Sequence, residues 1–265
     1  MKNFVFFPIL ILSLLITMEF IPDEKKESQA SLKLYQPQSD ISESLQGAWS
    51  SSEINGKGEK VEITTIVMDG YFAETIYHAE SGAFIRTFGG SWTVDKNRFL
   101  LKLEFSSADS SAVGKTTEQI FDLEGDTIKF EGSEKVWTRI DNDQTGVLSG
   151  AWLISGRKRD GKMVLRSPGD RKTMKILSGT RFQWIAYNTA TGKFSGTGGG
   201  TYTAENGTYT ETIGFFSRDN SRVGAKLTFQ YEVIENEWHH SGMSSKGRPI
   251  YEIWSPRIIS QKNNN

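Results

Sequence analysis

Leu45-Gln46-Gly47-Ala48-Trp49 recurs as Leu148-Ser149-Gly150-Ala151-Trp152, 103 residues further along the chain. Beyond these pentapeptides the offset becomes 110 and stays there. Phe72 meets Phe182, Tyr77 meets Tyr187, Gly82 meets Gly192 and Phe84 meets Phe194. Gly89-Gly90-Ser91-Trp92-Thr93 meets Gly199-Gly200-Thr201-Tyr202-Thr203, and Gly132 meets Gly242. Val136-Trp137 meets Ile253-Trp254 after seven further residues. A register held that long is an internal repeat. It divides the body into two copies of one domain, 45–140 and 148–256, joined by a polar linker at 141–147 and followed by a polar tail, 257–265.

Each copy reads as β structure. Along Arg98–Phe105 the apolar Phe99, Leu101, Leu103 and Phe105 alternate with Arg98, Lys102 and Glu104, the period of a half-buried strand. Turn pairs such as Asn55-Gly56, Asp69-Gly70 and Asn206-Gly207 punctuate such runs. No amphipathic helix of ten residues is evident in either copy. About eight short strands fit in each, the number that closes an antiparallel barrel filled by side chains or holding one small ligand.

The 265 residues are 37% hydrophobic and 24% charged with a net charge of −1, the composition of a packed protein. Near-neutrality speaks against a nucleic-acid binder. With no cysteine there is no disulfide, thiolate metal site or cysteine nucleophile. Only three histidines are present. His239 and His240 are adjacent, so a strand sends them to opposite faces, and no metal or cofactor is expected. Gly196–Gly200 is glycine-rich but lacks the helix and the lysine of a phosphate loop.

Residues 1–30 read as a targeting segment. Lys2 precedes an apolar run, Phe4–Met18, which is short for a bilayer span. Ser28-Gln29-Ala30 offers a small-residue cleavage pattern. A cleaved signal peptide and an uncleaved anchor both place the body outside the cytoplasm, behind a polar linker at 31–44.

Gly-x-Trp on a first strand, followed by about eight strands, resembles the lipocalins and the wider calycin superfamily. The tandem also resembles exported bacterial lipocalin-like proteins of unassigned function. In that family an arginine on the last strand packs over the first-strand tryptophan and closes one barrel end. The resemblance therefore implies Arg139 over Trp49 (from Trp137-Thr138-Arg139) and Arg257 over Trp152 (from Trp254-Ser255-Pro256-Arg257). The resemblance implies ligand binding as the commonest use of the fold, while the duplication implies two separate barrels that need not share an apolar interface, because each closes on itself.

Two copies of one ancestry also act as a mutual control. At positions read as inward, Leu101 becomes Glu211, Phe130 becomes His240, Gln119 becomes Phe229 and Glu74 becomes Trp184. Tyr209, Glu211, Ile213 and Phe215 share one face as long as no bulge breaks the register. The expected ligand-binding residues are thus Trp184, Tyr202, Tyr209, Glu211, Phe229, Trp238 and His240, all in the second copy. Charge divides as well. Residues 45–140 hold 10 Lys and Arg against 15 Asp and Glu, net −5, and residues 148–265 hold 17 against 9, net +8. Arg157, Lys158, Arg159, Lys162, Arg166, Arg171 and Lys172 concentrate the excess in one stretch, which contains the seven residues by which the second copy exceeds the first after its Gly-x-Trp. In lipocalin-like barrels that loop hangs over the open end, where cations attract an anionic ligand or an acidic membrane surface.

Three functional readings stand at this level. The first is an exported, non-enzymatic protein whose second barrel holds a small, partly apolar, anionic molecule. The second is a cell-envelope interaction protein with filled barrels. The third is a lipocalin-type isomerase using Glu211 and His240 as acid and base.

Overall fold

The computed structural model describes residues 38–141, 146–244 and 247–257. The apolar run Phe4–Met18 and its cleavage pattern lie outside the described residues, as do 142–145 and 258–265.

The first barrel consists of β1 (Gly47–Ile54), β2 (Lys60–Met68), β3 (Tyr71–His78), β4 (Phe84–Asp95), β5 (Arg98–Ser106), β6 (Thr116–Glu124), β7 (Thr127–Phe130) and β8 (Val136–Arg139). Each strand runs antiparallel to the next, and the sheet closes where Trp49 pairs with Arg139. The second barrel repeats this with β9 (Gly150–Arg159), β11 (Arg171–Leu177), β12 (Arg181–Asn188), β13 (Phe194–Glu205), β14 (Thr208–Phe216), β15 (Lys226–Ile234), β16 (Glu237–Met243) and β17 (Pro249–Pro256). It closes through pairing of β17 with β9. One extra strand, β10 (Lys162–Leu165), folds back on the end of β9 within the stretch that carries the surplus. Two tandem, closed, eight-stranded antiparallel barrels, the architecture of a lipocalin-like fold, are what the repeat predicts.

The end of the expected linker is helical: α1 (Gln38–Leu45) leads into β1, and Leu45 is buried in the first barrel's core. Arg139 holds the helix end, donating from Nη1 to the Gln46 carbonyl (2.7 Å) and from Nη2 to the Ser44 carbonyl (2.5 Å). A cation is favoured there by the peptide dipoles.

A β-bulge sits at the same place in each barrel. Gly89 pairs with Phe105 and Gly90 with Leu103, which leaves Glu104 as the extra residue. Gly199 pairs with Phe215 and Gly200 with Ile213, which leaves Gly214. A Cβ on Gly90 would stand 2.0 Å from the Lys102 carbonyl oxygen, so glycine alone permits the close approach. The bulge inverts facing. Phe105 and Phe215 therefore leave the interior alternation of their strands, contrary to the unbroken pattern expected.

They face the other barrel instead. The described residues form one compact unit, and the barrels share an apolar layer that includes Ala48, Ile66 and Phe105 from the first and Met174, Ile176 and Ile185 from the second. The barrels, each of which closes on itself and so needs no common apolar interface, nevertheless share one. The layer has approximate two-fold symmetry. Phe84 stacks on its own counterpart Phe194 at 6.4 Å. Tyr77 stacks on Phe215 (5.3 Å), and the mirrored pair Phe105 and Tyr187 lies at 5.0 Å. Like an isologous dimer interface, it uses the same patch on both halves.

Candidate functional site

The barrel ends differ. In the first, the Arg139 guanidinium lies 4.1 Å from the Trp49 ring, as the resemblance implies, and Trp49 Nε1 donates to the Leu45 carbonyl (2.9 Å). In the second, Arg257 does not close the barrel over Trp152. Pro256 takes the place of Arg139, pairing with Trp152 as Arg139 pairs with Trp49. Arg257 then takes the place of Ile140: its N–H donates to the Ala151 carbonyl (2.7 Å) as that of Ile140 does to Ala48 (2.9 Å). One residue further along a strand is the opposite face, so the guanidinium is turned out of its own barrel. It lies 3.9 Å from the Tyr71 ring and forms a double contact to Glu104 (2.7 and 2.8 Å) across the interface.

The second barrel's interior brings together Tyr209, Glu211, Phe229, Trp238 and His240, all buried. Their partners are internal. Lys175, on β11 between Trp152 and Trp184 of the flanking strands, donates from Nζ to Glu211 (2.8 Å), which also accepts from the Tyr209 hydroxyl (3.0 Å). The same ammonium lies 4.7 Å from the Trp238 ring, 4.9 Å from Tyr209 and 5.2 Å from Trp254. Glu252 is bonded to Arg157 and lies 3.6 Å from His240. Burial pushes the Glu252 carboxyl up, but His240, Arg157 and Lys175 outweigh it and hold the group at about 2. Burial, and then the Lys175 charge, push the His240 imidazole below its ordinary value, so it sits neutral beside an ionised carboxylate. Tyr202 donates to the Ser178 carbonyl (2.6 Å), and burial pushes its phenol up to about 12. Trp184 packs edge-on to Phe216 at 5.6 Å. Glu211 and His240 thus have separate partners, Lys175 and Glu252, neither of which stands out in the sequence as inward.

A cavity of about 490 Å³ lies instead in the first barrel. Phe72, Phe88, Phe99, Phe121 and Trp137 wall it. Each group that crosses the second barrel is smaller or apolar here: Thr65 stands where Lys175 does, Leu101 where Glu211 does, and Glu74 where Trp184 does. Thr117 and Gln119 line the cavity yet remain exposed, which marks the side open to solvent. Glu74 accepts from Thr65 Oγ1 (3.1 Å). Burial pushes its carboxyl above the usual range, against the Thr65 bond and the charges of Lys135 and Arg86. A carboxyl so placed favours the neutral form and can donate a hydrogen bond. Arg86 and Lys135 line the same cavity, and Lys135 pairs with Glu53 (2.5 Å).

The basic stretch is a hairpin rather than a loop. Arg157, Lys158 and Arg159 on β9 pair with Val164, Met163 and Lys162 on β10. Leu165 is 73% exposed, and Met163 and Val164 are also exposed. Burial, followed by repulsion from Arg157, Arg159 and Arg171, pushes Arg166 below its ordinary value. Lys172, at the start of β11, donates to the Gly169 carbonyl (3.0 Å). No group of three or more His, Cys, Asp or Glu among the described residues has metal-site geometry.

No family model matches the chain. No curated protein matches it either.

Proposed function

We propose that this is an exported, non-enzymatic binding protein of the calycin type, and that its first barrel carries the ligand. The single observation behind this reading is the roughly 490 Å³ cavity inside the first barrel. Its aromatic walls suit an apolar body. The Glu74 carboxyl suits a carbonyl or hydroxyl acceptor at depth, and Arg86 and Lys135 suit an anionic end. The Arg139–Trp49 contact supports the calycin assignment, and the apolar run Phe4–Met18 supports export. The sequence favours the second barrel as the carrier. Lys175, the aromatic rings around it and the Glu252 pair fill that interior, and the binding role passes to the first barrel. A second role rests on the β9–β10 hairpin, where exposed Met163, Val164 and Leu165 stand among cations. That combination suits contact with an acidic membrane surface.

Titration with 1-anilinonaphthalene-8-sulfonate, an apolar anion, tests the cavity. The wild type is expected to take up one equivalent. Glu74→Trp places an indole where the second barrel has Trp184 and should weaken binding tenfold or more. Native mass spectrometry of protein purified from its own host should show a copurified small molecule that Glu74→Trp lacks. Dye binding equal in wild type and Glu74→Trp, or no binding and no adduct in either, overturns the reading.

A further inference from the structure

The approximate two-fold axis between the barrels creates two equivalent positions at the interface, and only one is filled. At the filled one, Arg257 lies over Tyr71 and donates to Glu104 and to the Tyr187 hydroxyl (2.8 Å), with Met174 Sδ 3.0 Å from Nη1. The repeat offset gives the counterpart of each participant. Arg181 replaces Tyr71, Gly214 replaces Glu104, Tyr77 replaces Tyr187 and Thr64 replaces Met174. Ile140 replaces Arg257, as the matching backbone bonds to Ala48 and Ala151 establish. Three of these exchanges, Ile140 for Arg257, Gly214 for Glu104 and Thr64 for Met174, remove side-chain volume. The result is a cleft of about 310 Å³ lined by Arg181, Tyr77, Thr64, Thr201, Thr212 and the Gly214 backbone.

The electrostatics of the two positions are opposite. The filled one supplies a carboxylate that holds a guanidinium. The cleft supplies a guanidinium, and no carboxylate lines it. The only hydrogen bond of the Arg181 side chain among the described residues is the one Nη1 donates to Thr180 Oγ1 (2.9 Å). Its charge acts on the Tyr77 hydroxyl, which is 3.1 Å from Thr64 Oγ1. The carboxylate that also acts on Tyr77, Glu62, accepts from Ser50 (2.6 Å) and lies outside the lining. A planar guanidinium with spare donors, ringed by hydroxyls beside the Phe215 ring, is oxyanion chemistry.

We propose that this cleft is a second binding site, for a small oxyanion-bearing molecule, with Arg181 as the anion anchor and the Tyr77, Thr64, Thr201 and Thr212 hydroxyls as its polar wall. The site is independent of the first-barrel cavity, and its success or failure leaves that reading untouched. The test uses ¹⁵N-labelled full-length protein with the Arg181 Nε–H resonance assigned by its loss in Arg181→Gln. Inorganic phosphate and succinate are titrated separately, with glycerol as the uncharged comparison. A saturable shift of Arg181 Nε–H and of the Thr201 and Thr212 amides is expected with an oxyanion and not with glycerol. Saturation by phosphate alone identifies a phosphate ligand, and saturation by succinate alone identifies a carboxylate ligand. Arg181→Gln should raise the midpoint tenfold or more, read on the two threonine amides, while Arg98→Gln, on the exposed edge of β5, leaves it unchanged. Gly214→Glu recreates the Glu104 position, pairs with Arg181 from within, and should abolish the shift with no loss of melting temperature. Linear shifts with both anions, or a midpoint that Arg181→Gln leaves in place, overturn the proposal.

Discussion

Glu211→Leu removes one partner of an ion pair enclosed within the second barrel. Both side chains are 6% exposed, and Lys175 Nζ donates to Glu211 at 2.8 Å. Leucine is the residue at the equivalent position of the first barrel, Leu101, so the volume and the strand are tolerated. What remains is an ammonium without its carboxylate. Breaking a buried pair in this way costs about 3–5 kcal/mol. The rings of Trp238, Tyr209 and Trp254, at 4.7, 4.9 and 5.2 Å, retain some attraction for the stranded charge and put the expectation near the lower end. The Tyr209 hydroxyl also loses its acceptor. At roughly 2–4 °C per kcal/mol for a unit of this size, the melting temperature should fall by about 6–15 °C. Lys175→Thr with Glu211→Leu reproduces the Thr65 and Leu101 pattern and removes both charges together. The double variant should recover most of the loss, a coupling of about 2 kcal/mol or more in a double-mutant cycle read by urea unfolding. A Glu211→Leu melt within two degrees of wild type, or additive single effects, would refute the idea that the pair organises this interior.

Two further outcomes follow from the same geometry. Glu252 is held at about 2 against an ordinary 4.5, so the unfolded chain binds the extra proton between those values. Stability that is fully present above the ordinary carboxylate range should be lost as pH falls through that window. Roughly 2–4 kcal/mol is at stake, and urea midpoints from pH 6 to pH 2 should fall less steeply for Glu252→Gln than for wild type; parallel curves would contradict the assignment. Arg257→Ile copies Ile140 and strands Glu104 at the interface, which should cost about 2–4 kcal/mol. Adding Glu104→Leu should restore most of it, and failure of that rescue in a thermal melt would mean the contact does not hold the barrels together.

The amino-acid sequence determined the architecture. The repeat register from Phe72/Phe182 to Gly132/Gly242 and the period-two runs depend on local pattern alone, and two antiparallel barrels follow from them. The resemblance to the lipocalins, carried by Gly47-Ala48-Trp49 and Trp137-Thr138-Arg139, implied the Arg139–Trp49 closure that the structure shows. Arg257 shows the limit. Its turn out of the barrel was readable from the extra Pro256, but where it went was not, since Glu104 and Tyr71 are more than 150 residues away. Which barrel is hollow was decided by tertiary structure. In Met174-Lys175-Ile176 the alternation sets two apolar residues on one face and the lysine on the other, and it is the apolar face that turns away from the barrel interior. Met174 and Ile176 face the neighbouring barrel, in the shared apolar layer, so the strand is apolar on its outer face and Lys175 is directed into the interior. A strand buried on both faces carries no record in its own periodicity of which face is the core. Only the packing of one barrel on the other assigns the lysine to the inside, fills the second barrel, and leaves the cavity to the first.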